Sequence, residues 1–175
     1  MIILYTGRRG AGKTLTMVKD IIQFYNSGWK IVSNVPIEGI EYELMNSEDI
    51  ISLDKNTKLN NAVLVIDEIQ ILFDSRRSGS GGNKSFSNFI QQIRKRNIIL
   101  LCTTQFAGTT DLRIRQHTDV IARPKFNKEN LVIDVIYYDI TATEDNLYSE
   151  EIINRRVVFD ARQVFNRYDT KKTIV

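Results

Sequence analysis

Near the start of the chain, Gly7-Arg8-Arg9-Gly10-Ala11-Gly12-Lys13-Thr14 sets three glycines, a lysine and a hydroxyl at the spacing G-x-x-x-x-G-K-[ST]. The glycines let consecutive backbone N–H groups face one anion without Cβ interference, and a helix starting behind them adds its own free N–H groups, so the run is a nest for phosphate oxygens. Lys13 reaches the β and γ phosphates as a mobile point charge, while the Thr14 hydroxyl is a hard oxygen of the kind magnesium takes. Arg8, Arg9, Ala11 and Leu15 complete the segment expected to wrap the nucleotide. The bland alternative is a glycine-rich turn between a strand and a helix.

A second constellation lies further along, where Asp67-Glu68 follows the apolar run at residues 62–66. Asp67 suits a Walker B aspartate that holds magnesium beside Thr14, directly or through water. An acid directly after it, Glu68, can polarise an attacking water, which separates hydrolytic machines from kinases that keep water out. ATP and Mg2+ are therefore the expected cofactors and ATP hydrolysis the expected reaction. A solvated strand end is the alternative for this pair.

These groups need elements to hold them. Residues 2–6 form a short apolar run closed by Gly7, and Leu15, Val18, Ile22 and Tyr25 recur at helical spacing behind the loop. Ser27-Gly28 closes that helix, and residues 29–35 read as a second strand stopped by Pro36, giving one right-handed β-α-β unit. Residues 38–60 are mostly polar, with a short helix opening at Ser47 and a turn around Asp54-Lys55-Asn56. The unbroken run at 62–66 suits a parallel strand covered on both faces, with Asp67 at its carboxyl end.

Gly79, Gly81, Gly82 and several serines make residues 75–84 a flexible loop. Phe86, Phe89, Ile90 and Ile93 mark the buried stripe of a helix ending in Arg94-Lys95-Arg96, and residues 98–103 form a fourth strand with Gln105 just past it. A short helix over 111–117 leads to a fifth strand, 119–122, stopped by Pro124. Partial alternation over 131–140 and the run Val157-Val158-Phe159 predict antiparallel strands added at the sheet edge. The expectation is one α/β domain over 1–175, with a core at 1–124 and edge strands and a tail at 125–175.

Composition excludes several other classes. A chain of 175 residues, 42% hydrophobic and 26% charged, is an ordinary globular one, able to bury roughly 68–70% of its unfolded surface. Its apolar runs fall far short of the roughly twenty residues of a membrane helix, and no signal peptide precedes the first strand. The single cysteine, Cys102, permits no intrachain disulfide and sits in an apolar run as an inert thiol. One histidine, His117, is too few for a zinc site or a histidine-based triad. Trp29, Tyr137 and Tyr138 read as core or edge packing. A net charge of +3 permits nucleic acid as a partner without demanding it.

The glycine loop, Ile66-Asp67-Glu68-Ile69-Gln70, Asp74-Ser75-Arg76-Arg77, the run 89–96 and the strand ending near Gln105 together resemble small ATPases of the FtsK/HerA type. That group includes viral genome-packaging ATPases and the related zonula-occludens-toxin-like assembly ATPases of filamentous phages. The resemblance covers about residues 1–124. It implies a P-loop NTPase fold of the RecA-like, ASCE kind, with a mainly parallel central sheet of order 5-1-4-3-2, helices on both faces and ATP at the carboxyl edge. It gives Gln105 the place of a polar sensor for the γ-phosphate or the attacking water.

It further implies a homo-oligomeric ring, a pentamer or hexamer, with an arginine from the neighbour stabilising the transferred charge. Such an arginine contributes about 10³–10⁵ in rate. Arg113 and Arg115 are the favoured candidates, ahead of Arg94 and Arg96. Arg76, Arg77 and Lys84 would face the ring's pore and grip DNA phosphates without reading sequence.

The leading expectation is thus an ATP-hydrolysing DNA translocase that drives a viral genome into a capsid, working with capsid vertex proteins in the host cytoplasm or at the virion vertex. The alternative is a zonula-occludens-toxin-like assembly or extrusion ATPase. Those relatives usually carry a membrane-spanning segment after the ATPase domain, and an end at Val175 without one favours packaging. A nucleotide switch or small-molecule kinase comes third, because no arginine-rich lid insertion is present and Glu68 argues against it.

Overall fold

The computed structural model describes residues 1–53, 58–72, 81–106, 112–140 and 151–168. In chain order the elements are β1 (Ile2–Thr6), α1 (Lys13–Asn26), β2 (Lys30–Ser33), β3 (Glu43–Leu44), α2 (Ser47–Ile51), β4 (Ala62–Ile66), α3 (Ile69–Leu72) and α4 (Gly81–Ile90). They continue as β5 (Ile98–Thr104), α5 (Leu112–His117), β6 (Val120–Asn127), β7 (Val132–Ile140), β8 (Glu151–Asp160) and α6 (Arg162–Phe165).

All the strands join one sheet in the order β3-β2-β4-β5-β1-β6-β7-β8. From β6 to β2 this is the expected 5-1-4-3-2, parallel throughout. The β6–β7 and β7–β8 pairs are antiparallel, as the alternation after residue 131 predicts.

The period of two along each strand sorts the side chains into two cores. Ile3, Tyr5, Ile31, Val63, Val65 and Leu101 face α1 and form a cluster with Met17, Val18 and Ile21. Ile2, Leu4, Val32, Leu64, Ile66 and Leu100 face the other way and meet Phe86, Phe89, Ile90 and Ile114. Burial on both faces is why the inner strands read as unbroken apolar runs, each large aliphatic contributing about 1.5–3 kcal/mol. The C-terminal strands extend the α1 side, where Ile133, Val135, Tyr137, Phe159 and Val164 complete the cluster.

Several boundaries differ from the sequence expectation. The fifth strand does not stop at Pro124 but runs to Asn127. β6 pairs with β1 only as far as Ala122, so beyond that point one side of the strand has no ladder and a missing N–H costs nothing there. The loop expected over 75–84 is helical from Gly81, placing Lys84 on α4, whereas residues 91–96, expected to be helical, are turns followed by Asn97 with a φ of 52°. β2 ends at Ser33 because the Ser33 hydroxyl turns back on Val35, accepting from its N–H at 3.1 Å and donating to its carbonyl at 2.8 Å. β3, two residues long, was not expected. The helix at Ser47 is present, capped by Asn46 and Asp49 in a reciprocal box.

Candidate functional site

The parallel strands deliver their carboxyl ends to one edge, and the chemistry collects there. β1 ends at Thr6 and passes into the glycine loop, β4 ends one residue before Asp67, and β5 ends at Thr104, next to Gln105. Gly10 and Gly12 hold φ values of 78° and 92°, a region that side chains disfavour. At Gly12 a Cβ would also stand 3.1 Å from Ile133 Cδ1, a tight approach to β7 that a side chain could take only if Ile133 gave way by a few tenths of an ångström.

Behind Gly12, α1 starts with no side-chain cap and no acid in its first turn. Its free N–H groups and the positive end of the helix dipole therefore face the loop, as anion binding requires. Lys13, only 8% exposed, donates from Nζ to the Arg8 carbonyl at 3.3 Å, which folds its ammonium across the loop. Burial holds that ammonium below its ordinary pKa, and the charges of Glu68 and Asp67 pull the other way.

Asp67 lies beneath Lys13 and Thr14, 4% exposed. The Thr14 hydroxyl donates to its two oxygens at 3.3 and 3.4 Å, and the Thr103 hydroxyl donates to Oδ1. Burial pushes the Asp67 carboxyl above the usual range, the hydroxyls of Thr103, Tyr168 and Thr14 pull it back, and the charge of Glu68 adds to the rise. The hard oxygens of Thr14 and Asp67 thus converge where one small cation could sit. Among the described residues no group of three or more His, Cys, Asp or Glu could hold a metal by itself. A cation at Thr14 and Asp67 would draw the rest of its shell from phosphate and water, a donor set that fits magnesium.

Glu68 has a φ of 53°, a left-handed backbone that costs roughly 1–3 kcal/mol in a non-glycine residue. Its N–H donates to Thr103 Oγ1 at 2.8 Å, which holds the turn. The carboxylate is flanked by two amides: Gln70 Nε2 donates to Oε2 at 3.2 Å and Gln105 Nε2 to Oε1 at 3.5 Å. The structure therefore gathers Lys13, Thr14, Asp67, Glu68 and Gln105 in one place, with Gln105 against Glu68.

Beside the loop is an open cavity of about 490 Å³ lined by Gly7, Arg8, Arg9, Gly10, Lys125 and Phe126. The other expected residues are not gathered there. Arg76 and Arg77 lie outside the described residues, as do the side chains of Lys84 and Arg113. Arg115 is half-buried on α5, its Nε buried with no hydrogen-bond partner among the described residues. Arg94 pairs with Asp119 at the opposite edge of the sheet, where Asp119 also accepts from Ile2 N. Arg96 lies across the Phe89 ring and donates to Gln92.

Three neighbours of Asp67 were missed by sequence reasoning. Asn34, Thr103 and Tyr168 each bond it. The only signals were a carboxamide and a hydroxyl inside otherwise apolar runs; for Tyr168, 101 residues away, there was none.

The family model described as Zonular occludens toxin (Zot) matches residues 1–172. No curated protein sequence is matched significantly. Among solved structures, the N-terminal domain of zonular occludens toxin from Neisseria meningitidis is 19% identical, with a TM-score of 0.65 over 96% of this chain and 98% of that one. The genome packaging NTPase of Sulfolobus turreted icosahedral virus 2, in complex with ATP-gammaS, is 15% identical, with a TM-score of 0.55 over 79% of this chain and 91% of that one. The RadB recombinase is 18% identical, with a TM-score of 0.50 over 80% and 87%. These likenesses identify the architecture as a P-loop NTPase fold.

Proposed function

From the premise that the chain belongs to the zonular occludens toxin family, we infer that it is an ATP-hydrolysing subunit of a phage-type assembly or extrusion machine. The observation that carries the hydrolytic part is the convergence of Thr14 and Asp67 under an uncapped helix N-terminus, with Glu68 beside them. On this reading the amides of Gly7 to Thr14 bind the phosphates and Lys13 moves from the Arg8 carbonyl to the terminal phosphates. Thr14 and Asp67 would hold magnesium, which supplies neutralisation of phosphate charge. Glu68, steadied by Gln70 and Gln105, orients and deprotonates the lytic water. The cavity beside Phe126 suits the nucleoside.

Two observations favour the assembly reading over the packaging one: the family match spans almost the whole chain, and the Neisseria domain is covered nearly end to end. Genome packaging remains the second reading, supported by the fold shared with the viral packaging NTPase and by the Arg76-Arg77 pair. No helix among the described residues is long and apolar enough to cross a membrane. A ring with a trans arginine, Arg113 or Arg115, belongs to both readings.

ATP turnover measured with and without duplex and single-stranded DNA, beside the mass of the ATP-bound species, tests them. Turnover by an oligomer that ignores DNA supports assembly. DNA-stimulated turnover, weakened by Arg76→Ala with Arg77→Ala in a salt-sensitive way across all sequences, supports packaging. A monomer that transfers phosphate to a small molecule would overturn both.

A further inference from the structure

The C-terminal segment reaches the metal side of the nucleotide site, and topology explains how. β6 is parallel to β1, β7 reverses, and β8 reverses again, so β8 ends at the same carboxyl edge as β4. The chain leaves β8 at Asp160 and turns where Ala161 N donates to the Leu131 carbonyl at 2.8 Å. It then lays α6 against α1, with Val164 buried in the α1 core and the Phe165 ring edge-on to Phe126 at 6.4 Å.

Arg167 clamps the segment to the loop after β2. Its carbonyl accepts from Glu38 N at 2.9 Å, and its Nη1 donates to the carbonyls of Glu38 and Gly39, each at 3.3 Å. The next residue, Tyr168, donates its hydroxyl to Asp67 Oδ2 at 3.2 Å.

We propose that Tyr168 is a positioning residue of the metal site: its hydroxyl fixes the Asp67 carboxylate in the orientation that Thr14 and the cation need. Asp67 then has a separate hydroxyl on each oxygen, Thr103 on Oδ1 and Tyr168 on Oδ2, with Thr14 within reach of both. Two donors on separate oxygens fix both the tilt and the rotation of a carboxylate, which one donor cannot do. A carboxylate offers about four lone-pair sites, of which Thr103, Tyr168 and the single Thr14 proton take three, so acceptor capacity is left for a cation or its water. Partners of this kind orient metal ligands, and their loss typically costs about 10–100-fold in metal affinity or activity. The segment after β8 is accordingly part of the site and not only a cover for α1.

The inference rests on the nucleotide-binding reading above. The test titrates MgCl2 into the full chain with a fluorescent, non-hydrolysable ATP analogue, and reads the Mg2+ concentration at half-maximal binding, with analogue binding in EDTA measured beside it. Tyr168→Phe keeps the ring and removes only the hydroxyl. It should raise the Mg2+ midpoint about 10-fold or more and leave binding in EDTA unchanged. Arg167→Ala, which loosens the clamp without touching Asp67, should shift the midpoint the same way by less. An unchanged midpoint in Tyr168→Phe would reduce the contact to packing, and a lowered midpoint would make the hydroxyl a competitor of the cation; either overturns the proposal. Loss of analogue binding in EDTA would show a general defect and also overturn it. If the wild-type chain showed no Mg2+-dependent binding at all, the nucleotide reading would fail and this proposal with it.

Discussion

Asn34 holds the backbone of Asp67 at both ends of one residue: its Oδ1 accepts from Asp67 N at 2.8 Å and its Nδ2 donates to the Asp67 carbonyl at 3.3 Å. Asn34 is fully buried, and its own N–H donates to the Val65 carbonyl, so β2 and β4 are locked together at the point where the strand gives way to the site.

Asn34→Ala strips both partners from a buried peptide. Each polar group left unpaired costs about 1–3 kcal/mol, so urea denaturation should show a loss of that order or more. Because the same bonds fix where Asp67 begins, the variant should also need more Mg2+ for nucleotide binding. Wild-type stability in this variant would mean that the contact contributes little.

Lys13→Ala removes the ammonium that folds across the loop onto the Arg8 carbonyl. Calorimetric titration with Mg-ATP should show tight binding in the wild type and none in the variant. Because burial disfavours the Lys13 ammonium more than the charges of Glu68 and Asp67 favour it, its removal should not unfold the chain, and an unchanged melting temperature would confirm that the loss is local. Unchanged affinity would remove Lys13 from the site.

Glu68→Gln keeps the size of the side chain and its place between Gln70 and Gln105 but removes the charge that accepts a proton. ATP binding should persist while turnover falls about 10²-fold or more. Near-normal turnover in a phosphate-release assay would assign the water to another group.

Tyr5 and Tyr137 both donate to Asp20 Oδ2 at 2.8 Å in the core beneath α1. Burial raises both phenols above the ordinary tyrosine value, and the charge of Asp20 raises them further. The folded chain therefore keeps these protons where the unfolded chain releases them, so stability falls as pH rises past about 10. Tyr137→Phe removes one such group, and its denaturation midpoint should fall less steeply than the wild type's above that pH. Parallel slopes would contradict the assignment.

The sheet was legible because its inner strands are buried on both faces, which prints as runs such as Ala62-Val63-Leu64-Val65-Ile66. The glycine loop and Asp67-Glu68 were legible because backbone freedom and charge at a strand end leave residue-type signatures. Pro124 misled because its effect depends on whether a neighbouring strand needs its N–H, a tertiary fact. The helix from Gly81 was hidden by glycines and serines that favour loops locally, while Phe86 and Phe89 are anchored in the core. Tyr168 was illegible for a simpler reason: its partner lies across the sheet, and only the reversal through β7 and β8 brings them together.

A crystal structure of the chain with magnesium and a non-hydrolysable ATP analogue tests the central claim most directly. The account predicts phosphates against the amides of Gly10 to Thr14, with the cation at Thr14 and Asp67 and Glu68 facing the terminal phosphate. An analogue bound elsewhere, with the glycine loop unchanged and Asp67 touching only its present hydroxyl partners, would contradict it.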